Sequence, residues 1–132
     1  MTNRDDDSPV AVAPGESGQG TRGKVLVVED VALIRITTAD MAEQIGFETA
    51  QAGDAREALA LLRQDAAISI LLTDLGLPGM SGRELVAEAL TLNPSLKVII
   101  ASGYTNPADL PAGVKCLVKP FDMQQLRKAL ES

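Results

Sequence analysis

Histidine is absent from the 132 residues, and cysteine occurs once, at Cys116. The first absence removes histidine bases, histidine metal ligands and any phosphohistidine carried by this chain. The second forbids an internal disulfide and fits a reducing compartment. Aromatic residues make up 2% and tryptophan is missing, so platforms for stacking nucleic-acid bases are not expected. Twelve Lys and Arg stand against 18 Asp and Glu, and the net charge of −6 argues against direct nucleic-acid binding or an anionic membrane surface. The apolar stretch around residues 33–36 is far too short to cross a bilayer. The acidic N-terminus holds no apolar signal core. A cytoplasmic setting is the expectation.

What is present is enough apolar material, 45%, for one core in one domain. Residues 1–23 are the exception: Asp5-Asp6-Asp7, prolines, glycines and few large apolar side chains predict a disordered tail before a folded domain at 24–132. Lys24-Val25-Leu26-Val27-Val28 reads as a strand buried on both faces and runs into Glu29-Asp30. A helix is predicted over about 32–45, with Ile34, Met41 and Ile45 inward and Gly46 as its stop. Residues 47–51 read as a weaker strand near a sheet edge. Asp54 then caps a second helix, with Glu57 closing a capping box and Ala55, Ala58, Leu59 and Leu62 inward.

The run Ser69-Ile70-Leu71-Leu72-Thr73-Asp74 is the central strand, and it ends in a carboxylate followed by the turn-forming Gly76, Pro78, Gly79 and Gly82. Ser81 and Glu84 box a third helix, with Leu85, Ala89 and Leu92 inward and Asn93-Pro94 as its end. Residues 96–101 and 114–118 give two further strands. Asp122 and Gln125 cap a last helix with Met123, Leu126 and Leu130 inward. Between 105 and 113 two prolines and weak periodicity predict that the fourth of five helices is short or missing. Strands alternating with helices demand right-handed crossovers, a parallel sheet and helices on both faces, an α/β fold.

In such a sheet the carboxyl ends of the strands share one rim, where ligands bind. That rim collects Glu29, Asp30, Asp74, Ser102 and Lys119. Three crowded carboxylates repel one another and call for a cation. An all-oxygen ligand set suits Mg²⁺, which keeps several waters. Asp74 is then a candidate carboxylate nucleophile toward a phosphoryl group, Lys119 a second positive charge, and Ser102 a hydroxyl donor.

Val27-Val28-Glu29-Asp30, Asp74-Leu75-Gly76-Leu77-Pro78-Gly79, Ala101-Ser102-Gly103 and Val118-Lys119-Pro120-Phe121 resemble the signatures of bacterial two-component response-regulator receiver domains. The resemblance covers residues 24–132. It implies a flavodoxin-like, doubly wound five-stranded parallel sheet of order 2-1-3-4-5. It implies a phosphoacceptor signalling protein, not an enzyme, that promotes its own phosphorylation and dephosphorylation. Asp74 would take a phosphoryl group from a histidine kinase or histidine phosphotransfer protein and thereby switch binding of a downstream protein target. The resemblance further assigns Glu29, Asp30, Asp74 and the Gly76 carbonyl to Mg²⁺, Lys119 and Ser102 to phosphoryl contact and switching, and a cis bond to Lys119–Pro120.

Two departures from that pattern stand out. Cys116, read as a small buried strand residue, occupies a position where the family usually has an aromatic, and the helix at 105–113 is curtailed. Tyr104 is therefore a candidate signalling residue. Three other readings compete. A phosphorylation-independent binding module would not need all four key positions filled. An aspartyl-phosphate phosphotransferase would need a second acid–base carboxylate and a substrate-covering insert. A flavin or nucleotide module would need a glycine-rich phosphate loop where Glu29-Asp30 stands. No helix-turn-helix or basic stretch follows, which predicts a stand-alone receiver or a part of a longer chain such as a hybrid kinase.

Overall fold

The computed structural model describes residues 22–103 and 113–132. Five strands, β1 (Lys24–Val28), β2 (Glu48–Ala52), β3 (Ile68–Asp74), β4 (Lys97–Ser102) and β5 (Lys115–Val118), form one sheet in the order β2-β1-β3-β4-β5. Every neighbouring pair is parallel. The described helices are α1 (Ala32–Ile45), α2 (Ala55–Gln64), α3 (Gly82–Leu92) and α4 (Met123–Glu131). The doubly wound α/β order is as expected. Most of the anticipated tail at 1–23, all but Gly113 of the curtailed helix at 105–113, and Tyr104 lie outside the described residues. Arg22 and Gly23 already bond to the folded part, through Gly46 and Glu48.

Alternation along the three inner strands explains their near-continuous apolar sequence. Leu26, Val28, Leu71, Val98 and Ile100 face one core, shared with Ala55, Ala58 and Leu59 of α2 and Leu85, Val86 and Ala89 of α3. Val25, Val27, Ile70, Leu72, Ile99 and Ala101 face the other, shared with Ala39, Ala42 and Ile45 of α1 and Leu126 and Leu130 of α4. A strand covered on both faces has no side left for polar residues. Truncating a fully buried member such as Leu71 to Ala costs about 2–5 kcal/mol.

Helix boundaries follow local chemistry. Ser81 with Glu84, and Asp122 with Gln125, form complete capping boxes. At α2 the expected box is half made: Asp54 accepts from the Glu57 N–H, but the Glu57 carboxylate accepts from the Gly53 N–H at 2.8 Å instead of closing on Asp54. Gly46 ends α1 at φ 119°, a conformation that favours glycine.

Three inward assignments differ. Ile34 is exposed, because nothing before Thr38 in α1 is buried: the first turn and a half projects past the sheet's rim. Leu92 is exposed at the last turn of α3, and Val86 takes a buried place in that helix. Cys116 is half-buried rather than buried, since β5 is an edge strand.

Candidate functional site

Strand register puts the polar groups on one line. Val28 lies beside Thr73, so the next residues, Glu29 and Asp74, emerge together. Asp74 lies beside Ala101, one residue before Ser102, and Ser102 lies beside Val118, one residue before Lys119. The Lys119 N–H also donates to the Ser102 carbonyl at 2.7 Å, extending the β4–β5 ladder to the rim. The site sits over β1 and β3, where the strand order reverses direction.

Lys119 must cross β4 to reach β3. Two strand spacings are about 10 Å. A long aliphatic stem can cover that distance because the intervening strand ends in the small residues Ala101, Ser102 and Gly103. The ammonium lies 3.1 Å from Asp74 Oδ2 and 3.2 Å from Glu29 Oε1. Burial alone would lower its pKa, but Asp74 and Glu29 together outweigh that and hold it above the ordinary lysine value. Lys119 therefore stays charged throughout the physiological range.

The carboxylates are held from behind. Glu29 is buried, and its Oε2 accepts from the Val31 N–H at 3.2 Å, while Arg35 donates to its backbone carbonyl at 2.8 Å. Asp74 Oδ1 accepts from the Gly76 N–H at 3.3 Å. Asp30 is exposed at the mouth. One oxygen from each of Glu29, Asp30 and Asp74 can be chosen such that all lie within 4.8 Å of one another. One lysine cannot neutralise three carboxylates at that spacing, and the all-oxygen donor set fits a hard divalent cation.

Of the anticipated residues, the structure thus gathers Glu29, Asp30, Asp74 and Lys119. Ser102 is buried at the end of β4 and lines a cavity of about 520 Å³ together with Asp74, Gly76, Ser81 and Arg83. The Lys119–Pro120 peptide bond is cis. Gly76 is exposed in the turn after Asp74.

Two residues were not anticipated as parts of the site: Gly82, read from the sequence only as turn-forming, is the first residue of α3, and Arg83 carried no motif. Gly82 brings the start of α3 onto the Asp74 backbone: its N–H donates to the Leu75 carbonyl at 3.0 Å, and a Cβ there would lie 2.4 Å from the Asp74 carbonyl oxygen. Arg83 follows at the cavity wall. A glycine directly after a capping serine was the available signal for the first; the second had none.

Beside the site, Leu33, Ile34 and Met41 of α1 with Pro120 and Phe121 line an apolar groove of about 580 Å³ that reaches Lys119. Val31, Leu33, Ile34 and Ile36 are all strongly exposed. No helix among the described residues is long and apolar enough to cross a membrane.

Comparison with known proteins places this geometry. Residues 25–131 match the response regulator receiver domain family. The chain is 31% identical over 113 residues to the response regulator receiver protein CpdR of Brucella abortus, spanning 82% of this chain and 93% of that one. It is 33% identical over 136 residues to the sensor kinase CckA of the same organism, but spans only 14% of that protein's length. Among solved structures, the receiver domain of a hybrid histidine kinase CckA superposes with a TM-score of 0.73 at 30% identity, covering 83% of this chain and 96% of that one. A CheY-like receiver from Methanospirillum hungatei superposes with a TM-score of 0.76, again at 30% identity, over 83% of this chain and 90% of that one.

Proposed function

The chain belongs to the response regulator receiver domain family and is a phosphoacceptor of two-component signalling; on that premise we propose that Asp74 is the residue that takes the phosphoryl group. The observation that carries this reading is the shared ammonium of Lys119, 3.1 Å from Asp74 and 3.2 Å from Glu29. It neutralises charge where a phosphoryl group would arrive and leaves Asp74 the least enclosed of its two partners, 19% exposed against 7% for Glu29. We assign the receiver unit to residues 24–132.

In the transfer, an Asp74 carboxylate oxygen forms a bond to phosphorus while the donor's N–P bond breaks. The electron pair of the broken bond stays on the donor's imidazole nitrogen. Asp74 enters as a carboxylate, so no base is required, and a chain without histidine can carry out this half of the reaction. Lys119 faces the incoming phosphoryl oxygens and Ser102 offers its hydroxyl from the β4 end. Glu29, Asp30 and Asp74, with the Gly76 carbonyl, would hold Mg²⁺, which when bound supplies positive charge to the phosphoryl oxygens. Gly76 N–H already orients Asp74 through Oδ1. The same pocket, opened to water, would return the carboxylate by hydrolysis, so the protein also promotes its own dephosphorylation.

The donor is a histidine kinase or histidine phosphotransfer protein in the cytoplasm. The apolar turn of α1 adjoins Lys119 and Pro120, so a donor helix bringing a phosphohistidine to Asp74 would seat on Leu33 and Ile34. The effect of phosphorylation is to change binding of a downstream protein through the Ser102 end of β4.

The test is incubation with acetyl phosphate and Mg²⁺. One hydroxylamine-labile phosphate per chain is expected, absent in Asp74→Ala. Wild-type labelling in that variant would move the acceptor elsewhere. Leu33→Glu should slow transfer from a phosphorylated histidine phosphotransfer protein at least tenfold while leaving acetyl phosphate labelling intact.

A further inference from the structure

The Asp74 cavity holds one positive charge that the transfer chemistry above leaves unused. Arg83 is the second residue of α3, is exposed, and lines the same cavity of about 520 Å³ as Asp74 and Ser102. Among the described residues it makes no hydrogen bond or ion pair. Arg56, Arg63 and Arg127 are likewise without a bonded partner among the described residues, but Arg83 is the one of them that lines the Asp74 cavity. Arg22 pairs with Glu131, Arg35 is bonded to the Glu29 carbonyl, and Arg56 lines a separate cavity with Asp54, Pro78 and Met80.

Position and orientation are both constrained. Gly82 locks the first turn of α3 against the Asp74 and Leu75 backbone, where a Cβ would lie 2.4 Å from Asp74 O and 2.7 Å from Leu75 Cα. The Ser81–Glu84 capping box fixes the helix start on either side of Arg83. Leu85, Val86 and Ala89 take the buried face of the helix, which leaves position 83 off it. An arginine backbone held this close to the acceptor is part of the site's wall, whatever rotamer its side chain adopts.

Charge supplies the reason. Three carboxylates and one lysine accept a divalent cation with near balance. Converting Asp74 to an acyl phosphate replaces a charge of −1 by about −2 and adds acceptor oxygens facing the cavity. A guanidinium is permanently charged and presents paired donors that match phosphoryl oxygens. We propose that Arg83 contacts the phosphoryl group from the α3 side, opposite Lys119, and that it raises the site's affinity for small anionic phosphodonors and for the phosphorylated state. This rests on Asp74 being the acceptor.

The test measures binding of beryllofluoride, a phosphoryl mimic, in the presence of Mg²⁺ by calorimetry, beside steady-state labelling with acetyl phosphate. Arg83→Ala and Arg83→Gln should each raise the beryllofluoride Kd and the acetyl phosphate KM about tenfold, with a smaller change in kcat. Arg83→Lys should recover part of the loss, and Arg83→Glu should exceed it. Mg²⁺ affinity without beryllofluoride should be unchanged or slightly tighter, and the melting temperature unchanged. A merely structural arginine would instead shift the melting temperature and leave KM alone. If wild type binds beryllofluoride and the Gln and Ala variants match it within twofold, the Arg83 contact is overturned. If wild type binds none, the assignment of Asp74 fails as well.

Discussion

The two rims of the sheet both carry charged groups but treat them in opposite ways. At the amino ends of the strands, cations have their own partners: Lys24 pairs with Asp65, Arg22 with Glu131, Lys97 donates to the Leu130 carbonyl and Lys115 to the Ser132 hydroxyl. At the carboxyl ends, Glu29, Asp30 and Asp74 converge and Lys119 alone bridges two of them. Charges that each have a bonded partner close a surface; carboxylates that outnumber their one cation keep a surface open for a ligand. The contrast separates stability from function within one small fold.

The strongest way to test the contrast is to remove one lysine from each rim. Lys119→Met should slow labelling by acetyl phosphate by about 10²-fold or more, as expected when a positioned charge at a developing phosphoryl transfer is lost. Lys24→Met should leave that rate unchanged. Equal losses in both would dissolve the distinction.

Backbone packing sharpens it next. Gly82→Ala should destabilise by about 1–3 kcal/mol in denaturant titration, because the new methyl meets carbonyl oxygen and Cα rather than a flexible side-chain end. Gly103→Ala, with nothing among the described residues within 4 Å of its Cβ position, should be within about 0.5 kcal/mol of wild type.

Carboxylate removal should have opposite signs at the two rims. Asp30→Asn relieves repulsion, so the metal-free protein should melt higher by roughly 2–5 °C, while Mg²⁺ affinity falls about tenfold. Asp65→Asn breaks a satisfied pair and should lower the melting temperature slightly.

The smallest effect is in acid. The hydrogen bond from Lys24 holds the Asp65 carboxyl below its ordinary pKa, with the Ala67 N–H adding to it. A carboxyl depressed in the folded state contributes stability above its unfolded pKa, and that contribution disappears as pH falls through the folded value. Wild type should therefore lose its small advantage over Asp65→Asn as pH drops through and below the usual carboxylate range, read as converging melting curves.

Much of this arrangement was legible in the sequence. Apolar runs at residues 25–28 and 70–72 announced strands covered on both sides, and three capping signals, at Asp54, Ser81 and Asp122, marked helix starts. Strand ends carrying acids, a serine and a lysine pointed to one rim, and the register supplies the reason they meet. Other features were hidden for physical reasons. Periodicity shows that an apolar stripe exists but not whether a core or a partner covers it, so Ile34 and Leu92 were assigned inward. Glu57 had two N–H donors within reach and took that of Gly53. Gly82 and Arg83 depend on how closely one helix approaches one strand end, a distance no local pattern encodes.

The glycine at position 82 also divides the acceptor pocket mechanically. On the α3 side, helix and Asp74 backbone touch with no slack, so they move as one body. On the opposite side, a Cβ at Gly103 would meet nothing within 4 Å among the described residues. If Asp74 is the acceptor as proposed, a pocket with one close-packed wall has a built-in direction: charge added there would do its mechanical work on the β4 end, with α3 as the anvil against which that displacement is made.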